Sequence, residues 1–315
     1  MKRIVLGYSG TLATTVAIPW LADTQKAEVV AVTLDLGQVE ELEAIRDRAL
    51  AAGAVRAHVL DVRDVFARDY IAPAIRAGAL QDAAMLAALA HPLIAKTLVE
   101  IAALEQAGIV AHGARGDDDR RLAAIVEALS PGTLVVAPAS NWNMTRASQL
   151  EYAPLRGLLA ETPFGEERAP AKTSAEPPDE PAYVDVRIDR GVPGAINHID
   201  MPLADLLPTL GTIASAHGVA APAAVILQGA HDELQRLTMP ADVDRAARAV
   251  RSEYVDAIGS GGWFGPLRKA LDAFLAAADE HVSGVVRMKL FKGDVESQAR
   301  QEAPPAKPWP LVAIR

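Results

Sequence analysis

The stretch that decides the fold is RIVLGYSGTLATT, residues 3–15. Its first half is a short apolar run typical of a buried strand, and its second half is a small, hydroxyl-rich loop. A strand that opens into such a loop and then into a helix is a common phosphate site, because backbone N–H groups and the helix dipole face the anion. Taken alone, the loop also fits an ordinary turn between strand and helix.

Four further strand-like runs precede residue 140, namely AEVVAVTL, RAHVL, GIVAHG and TLVVAPA. Helical patterns lie between them, including VEELEAIRDRALAAG and PLIAKTLVEIAALEQAG, and we expect the second helix to begin at Pro92. Strands that alternate with helices predict an α/β fold, a parallel sheet covered on both faces. Ligands of such sheets bind beyond the carboxyl ends of the strands. The segments to watch are Tyr8–Thr15, Leu34–Gln38, His112–Asp119 and Ala137–Asn141.

The second half of the chain has a different pattern. Residues 161–181, ETPFGEERAPAKTSAEPPDEP, have the composition of a linker or exposed loop. A hairpin at AYVDVRIDRGVPGAIN, several helices and a strand at VVRMKLFKG then predict an α+β domain. We therefore expect a nucleotide-binding-like domain at 1–160, a linker at 161–181, a synthetase-like domain at 182–295 and a proline-rich tail at 296–315.

Composition narrows the classes of function. The 315 residues carry a formal charge of −9, which disfavours a nucleic-acid binder or a protein of anionic membranes. There is no cysteine, so disulfides, thiolate zinc sites and cysteine nucleophiles are excluded, as is usual for a cytoplasmic enzyme. We expect no stretch long and apolar enough to span a bilayer.

Several longer stretches, taken in order, resemble the argininosuccinate synthase family. They are LDLGQVEELEAIRDRALAAGA, RDYIAPAIRAGAL, HPLIAKTLVEIA, VAHGARG, NWNMTR and WFGPLRKALDAF. The resemblance implies an adenine-nucleotide α-hydrolase type domain followed by a synthetase domain. It also implies a reaction in which ATP with Mg²⁺ adenylates the ureido oxygen of citrulline, and the amine of aspartate then displaces AMP.

The resemblance assigns nucleotide-binding residues, and two of them are altered. The family's S-G-G-L-D-T-S loop reads SGTLATT here, so Thr11 replaces a glycine and Ala13 an aspartate. Thr11 adds a Cβ where space is tight, and we therefore expect ATP binding to be weak or lost. The residues assigned to the cofactor are Tyr8, Ser9, Gly10, Thr11, Thr14, Thr15, Leu34 and Gly113.

The family's aspartate loop, H-G-C-T-G-K-G-N-D-Q-V-R, reads HGARGDDDRR here and is two residues shorter. The resemblance assigns substrate binding to Arg115, Asp117, Asp118 and Arg121. A solvated, acidic helix start explains the same residues, since aspartate favours a first helical turn. Both interpretations stay open at this point.

The residues that would bind citrulline are replaced. In AAMLAALAHP, Ala83 stands for a tyrosine, Leu86 for a glycine, Ala87 and Ala88 for a polar pair and His91 for an arginine. The family's serine-bearing loop has no counterpart. Two interpretations remain. One is an adenylating carbon–nitrogen ligase with changed substrates, among which aspartate or another amino acid is a candidate. The other is a non-catalytic paralogue that binds a nucleotide, metabolite or protein.

Neither a catalytic residue nor a metal ligand is assigned from the sequence. The resemblance implies a tetramer whose C-terminal arm wraps a neighbour, but here the tail carries four prolines between Pro304 and Pro310. Because proline interrupts helices, the tail cannot form the family's long helix. We therefore expect a homo-oligomer, a dimer or tetramer, held by apolar helices of the second domain.

Overall fold

The structure is a computed structural model that describes residues 2–37, 42–142, 144–158 and 177–298. Gln38, Asn143, most of the predicted linker and nearly all of the predicted tail lie outside the described residues. The elements up to residue 158 are, in chain order, β1 (Arg3–Gly7), α1 (Leu12–Gln25), β2 (Glu28–Asp35), α2 (Leu42–Ala51), β3 (Arg56–Asp61), α3 (Arg63–Phe66), a π-helical turn (Ala67–Ile71), α4 (Ala72–Arg76), α5 (Ala83–Leu104), β4 (Ile109–His112), α6 (Asp117–Leu129), β5 (Leu134–Val136), α7 (Pro138–Asn141) and α8 (Arg146–Leu155).

The elements after residue 177 form a second series. They are β6 (Ala182–Asp189), β7 (Val192–Ile196), β8 (Ile199–Asp200), α9 (Leu203–Ala216), α10 (Ala223–Thr238), α11 (Ala241–Ser260), a 3₁₀ turn (Gly262–Phe264), α12 (Pro266–Ala278), a second 3₁₀ turn (Asp279–His281), β9 (Gly284–Phe291) and β10 (Asp294–Gln298).

The first sheet is parallel throughout, with the strand order β3-β2-β1-β4-β5. This confirms the predicted α/β fold and all five predicted strands. From β1 the chain first adds β2 and β3 on one side, and it then returns to place β4 and β5 on the other. At such a reversal the loops that leave the two central strands part from each other, and a crevice opens beyond their carboxyl ends.

The two central strands and the first helix form the core of this sheet. In β1, Ile4, Val5 and Leu6 are fully buried, and α1 buries Val16 and Ile18 among others. Strands covered on both faces read as continuous apolar runs, which is why RIVLG shows no polar alternation.

Helix α5 differs from the prediction. It starts at Ala83, nine residues before Pro92, and Pro92 lies inside it. The Oδ1 atom of Asp82 accepts a hydrogen bond from the Met85 N–H at 2.8 Å, which satisfies one amide of the first turn. The alanines and leucines that follow have high helix propensity, so the helix continues through the hydrogen bond that Pro92 cannot donate.

Helix α5 also corrects the expectation about membranes. Within the described ranges it is the single helix long and apolar enough to cross a bilayer. Half of the apolar stretch of this helix is buried inside the protein, as in a core helix.

The second sheet is antiparallel, with the order β10-β9-β6-β7-β8. It confirms the predicted α+β architecture and the predicted hairpin, which turns at Arg190 and Gly191. Strand β10 was not predicted, because its sequence DVESQ is mostly polar. A fully buried pair, His231 and Asp279, packs beneath the hairpin, with His231 Nε2 3.3 Å from Asp279 Oδ2.

Compactness divides the chain into two units. The first unit comprises residues 1–66, 88–172 and 258–264, and the second comprises residues 67–87, 173–257 and 265–315. Neither unit is continuous in sequence, so this division differs from the boundaries expected from composition, which stay a prediction.

An ion network joins the amino ends of the strands in the first unit. Glu105, which follows α5, is 5% exposed and accepts hydrogen bonds from Arg3 at 3.2 Å and Arg56 at 2.9 Å. His58 Nε2 lies 3.3 Å from the same carboxylate. Burial alone would raise the pKa of Glu105, but the hydrogen bonds from Arg56 and His58 and the charges of Arg56 and Arg3 hold it below its ordinary value.

We expect Glu105→Gln to lower the free energy of unfolding by about 1–3 kcal/mol at pH 7, because it leaves two arginines without their shared carboxylate. The folded-state pKa lies below the unfolded value, so this stabilisation is present above about pH 4.5 and is lost as the pH falls through the folded-state value. Urea unfolding from pH 7 to pH 4 checks both statements.

Glu100→Gln is the matched control, because Glu100 is 59% exposed and, within the described ranges, pairs only with Lys96 on its own helix at 3.6 Å. Its effect should stay under about 0.5 kcal/mol. Equal losses for the two variants, or a loss at Glu105 that does not shrink in acid, would contradict the role of the network.

Candidate functional site

The loop after β1 is closed by its own hydroxyl groups. Ser9 Oγ lies 3.1 Å from Thr11 Oγ1 and 3.2 Å from Thr14 Oγ1, and the two threonine hydroxyls are 3.2 Å apart. Thr15 Oγ1 donates to the Thr11 carbonyl at 2.9 Å. The structure therefore brings together the four hydroxyl residues that the sequence assigned to the phosphate.

Tyr8 is a buried residue that supports this loop through a side-chain hydrogen bond. It is 3% exposed, and its hydroxyl lies 2.9 Å from Thr15 Oγ1. Its N–H donates to the Val32 carbonyl at 2.8 Å, so it continues the pairing of β1 with β2. Burial raises the pKa of Tyr8, and the bond to Thr15 and the nearby charge of Arg48 oppose that rise.

The start of α1 suits an anion. Thr11 is the N-cap residue, its side chain makes no capping hydrogen bond, and the first turn contains no acidic residue. The first amides of a helix have no partner within the helix, and they carry the positive end of its dipole. A phosphate would accept hydrogen bonds from these amides, and its negative charge would be stabilised by the positive end of the dipole.

The loop after β4 touches the loop after β1. A Cβ atom added at Gly113 would lie only 2.7 Å from Thr14 Cγ2, closer than side chains tolerate. Gly7, the last residue of β1, pairs with His112, the last residue of β4. The reversal of strand order therefore brings the two predicted nucleotide loops into contact. Leu34 is buried in β2 and pairs with Leu60.

Helix α6 starts very differently from α1. Its first turn contains Asp117, Asp118 and Asp119, and Gly116 at its N-cap offers no side chain. Asp117 pairs with Arg120 on the surface, and Asp119 accepts a hydrogen bond from Ser140 at 2.8 Å. Negative charge already occupies this helix start, as the solvated-helix interpretation predicts.

Arg121 is committed to neighbours inside the first unit. Its side chain is 12% exposed. Its Nη1 atom donates to Asp118 Oδ1 at 2.6 Å and lies 3.1 Å from His91 Nδ1, while its Nε atom donates to the Gly259 carbonyl at 2.9 Å. In contrast, Arg115 is exposed and makes no hydrogen bond or ion pair with the described part of the chain.

Two histidines beside this cluster have lowered pKa values. Burial lowers the pKa of His91 and of His112, and in each case an aspartate, Asp118 or Asp119, partly opposes the shift. His112 Nε2 lies 3.6 Å from Asp119 Oδ1, and neither ring nitrogen of His112 has a hydrogen bond among the described residues. The sequence marked the HG dipeptide but did not identify His112 as a site residue. His91 lies within α5 rather than ahead of a helix, contrary to the expectation.

The segment NWNMTR contributes to packing. Thr145 caps α8 by accepting a hydrogen bond from the Ser148 N–H, and Trp142 is buried edge-on against Trp20, with the ring centroids 5.6 Å apart. Among the described residues no group of three or more potential ligands is arranged for a metal ion. Two cavities, of about 130 and 240 Å³, lie in the second unit, and neither is lined by a predicted site residue.

Comparison with known proteins relates two regions of the chain to the two domains of one family. Residues 3–158 match the arginosuccinate synthase N-terminal HUP domain, and residues 220–305 match the arginosuccinate synthase C-terminal domain. An argininosuccinate synthase of Rubrobacter xylanophilus is 38% identical, over 97% of this chain and 87% of that protein. Those of Oceanobacillus iheyensis and Symbiobacterium thermophilum are 33% and 36% identical, over 95% and 93% of this chain and 84% and 86% of theirs.

The first of these alignments runs over 356 positions, more than the 315 residues of this chain. The relative therefore has segments without a counterpart here. A Burkholderia pseudomallei NAD⁺ synthetase of known structure aligns over 52% of this chain and 64% of its own, at 18% identity and a TM-score of 0.34, which is too weak a likeness to bear on function.

We expect Gly113→Ala to destabilise the protein by about 1–3 kcal/mol, because its methyl group would clash with Thr14 Cγ2. Thr14→Ser removes that methyl carbon and keeps the hydroxyl. The double variant should therefore recover most of the loss, which a thermal or urea double-mutant cycle measures.

Strictly additive effects of the two substitutions would show that the loops after β1 and β4 are not in contact. The cycle contains its own control, because Thr14→Ser by itself leaves Gly113 unchanged.

Proposed function

Because the chain belongs to the argininosuccinate synthase family, we propose that it is an ATP-dependent carbon–nitrogen ligase with altered substrates, and that it does not join the standard pair, citrulline and aspartate. The nucleotide would be held by the loop Tyr8–Thr15, with Leu34 and Gly113 beside it. The substrate side would consist of Arg115, Asp117, Asp118 and Arg121. ATP with Mg²⁺ would activate the acceptor by adenylation.

The nucleotide half of the proposal is supported by the start of α1. Amides without a side-chain cap, no acid in the first turn and a ring of hydroxyls are the features that a phosphate requires. Ala13 and Thr11 depart from the family's loop. The three hydroxyls also satisfy one another, so a phosphate must replace existing hydrogen bonds. We therefore expect weak ATP affinity.

The single observation that carries the change of substrate is the environment of Arg121. Its guanidinium is already bound to Asp118, His91 and a main-chain carbonyl. An amino-acid carboxylate at this place would have to displace Asp118, and Asp117 and Asp119 would repel it. Arg115 is exposed, so it is the group most free to meet a substrate carboxylate.

The replaced positions in α5 support the same conclusion. Ala83 and Ala87 are exposed in the first two turns of the helix, where the resemblance implies polar groups that contact citrulline. Alanine has neither donor nor acceptor, so a polar ureido group would lose the hydrogen bonds it makes to water without replacement. A less polar acceptor suits this surface better.

The second candidate function is a non-catalytic paralogue, and the observation that favours it is the pair Thr11 and Ala13. Losing one charge-stabilising group typically lowers a rate by about two orders of magnitude or more. A protein that binds a nucleotide or metabolite without turnover would tolerate both substitutions.

We expect calorimetry to detect binding of ATP with Mg²⁺, and a pyrophosphate-release assay to stay silent with citrulline plus aspartate. Release should appear when other amino acids are screened in pairs, because the proposed substrate side has changed, whereas the altered nucleotide loop still offers its hydroxyls and the uncapped start of α1 to a phosphate. An authentic argininosuccinate synthase serves as the positive control for the assay.

Turnover of citrulline and aspartate at the control's rate would contradict the change of substrate. ATP binding without release for any amino acid would favour the paralogue, and no ATP binding at all would refute the ligase.

We further propose a cytoplasmic homo-oligomer, a dimer or tetramer, assembled through the second unit. Leu237 of α10 and Leu267 of α12 are 52% and 51% exposed, and burying such apolar area stabilises an interface. Light scattering on the full chain should give a dimer or tetramer, and truncation after Gln298 should not change it. A monomeric full chain would refute the interface, and a monomer only on truncation would assign it to the tail.

A further inference from the structure

Arg48 joins the second helix to the loop after β1. It lies in the last turn of α2, and its Nη1 atom donates to the Gly10 carbonyl at 2.7 Å. The two residues are 38 positions apart in sequence, so this bond is tertiary rather than local. A charged donor makes a stronger hydrogen bond to a carbonyl than a neutral one does.

The bond fixes one peptide of the loop. In a trans peptide the C=O and the following N–H point in opposite directions. Because Arg48 holds the Gly10 carbonyl towards α2, the N–H of Thr11 is directed away from α2. Thr11 is the N-cap residue of α1. The orientation of this peptide therefore helps to decide which way the N–H of Thr11 faces.

Gly10 has the conformation that such a peptide needs. Its φ angle is +74°, in the left-handed region that L side chains rarely adopt. A Cβ atom here would also lie 3.1 Å from Ile45 Cγ1 and 3.4 Å from Arg48 Nη1. Helix α2 is thus pressed directly against the loop, and Ile45 and Arg48 form the two contacts.

The charge of Arg48 also acts on Tyr8, the residue that supports the loop. It opposes the rise in pKa that burial causes at Tyr8, whose hydroxyl holds Thr15. The guanidinium is therefore near the peptides that would face a phosphate, as well as bound to one of them.

We propose that Arg48 is a positioning residue for the phosphate loop, and that it sets the orientation of the Gly10–Thr11 peptide on which binding of a nucleotide's triphosphate depends. The inference rests on the proposed function, since it assumes that the loop receives ATP. It adds a residue of α2 to a nucleotide site otherwise built from the loop between β1 and α1, from Leu34 of β2 and from the loop after β4.

The test compares Arg48→Gln with Arg48→Lys, and with Arg46→Gln as the matched control. Arg46 lies on the same helix but is 49% exposed and pairs with its neighbour Asp47 at 3.0 Å. Calorimetry measures the Kd of each protein for ATP with Mg²⁺, inorganic tripolyphosphate and adenosine. Adenosine lacks phosphates, so its affinity reports whether the rest of the site is still folded.

We expect Arg48→Gln to weaken ATP and tripolyphosphate about tenfold and to leave adenosine within about twofold. Arg48→Lys keeps a charged donor, so it should stay within about threefold of the wild type for all three ligands. Arg46→Gln should match the wild type.

Four results would overturn the inference. Unchanged ATP affinity in Arg48→Gln, with a wild type that binds ATP, would refute the role of Arg48 alone. Equal losses for ATP and adenosine would show a general effect on folding. A wild type that binds neither ATP nor tripolyphosphate would refute the proposed function, and the inference with it. If Arg48→Gln does not fold, Arg48→Lys carries the test, and a loss of ATP affinity in that variant far beyond the expected threefold would also refute the inference.

Discussion

The close approach of Gly113 to Thr14 is the constraint on which the rest of the candidate site depends. It exists because β4 returns to lie beside β1, so that Thr14 and Gly113, 99 residues apart in sequence, follow neighbouring strands at the same end of the sheet. Any side chain at residue 113 would push them apart. Everything else at this edge, including the hydroxyl ring, the start of α6 and the buried His112, is arranged around that contact.

The two helices that start at this edge present opposite electrostatics. Helix α1 begins without an acid and without a side-chain cap, whereas α6 begins with three aspartates, one of which holds Arg121 in place. In the proposed site, a phosphate would lie at the start of α1, and the acidic start of α6 follows β4, the strand paired with β1. A substrate that carries both signs of charge fits this arrangement better than a second anion does.

The parallel sheet could be predicted from sequence because its buried strands are nearly pure apolar runs, and the helices between them have clear periodicity. The start of α5 was missed because Pro92 is a familiar start signal, while the weaker signal, Asp82 as a cap, lies ten residues earlier. Strand β10 was missed because its exposed sequence has no apolar alternation. The motif in the sequence assigned the loop residues, but it did not predict which tertiary hydrogen bonds they make. The engagement of Arg121 with His91, and of Arg48 with Gly10, depends on contacts over 30 and 38 residues, which a local pattern does not contain.

The position of the Glu105 network has a consequence for how this protein can diverge. The network ties Arg3 and Arg56 at the amino ends of β1 and β3, and the candidate site lies at the carboxyl ends of the same sheet. Substitutions in the loops therefore leave these ion pairs intact. Their effects on the free energy of unfolding should be nearly additive with those of substitutions in the Glu105 network. Changes of sequence at one end of the sheet can therefore accumulate while the ion network at the opposite end supplies tolerance to mutation.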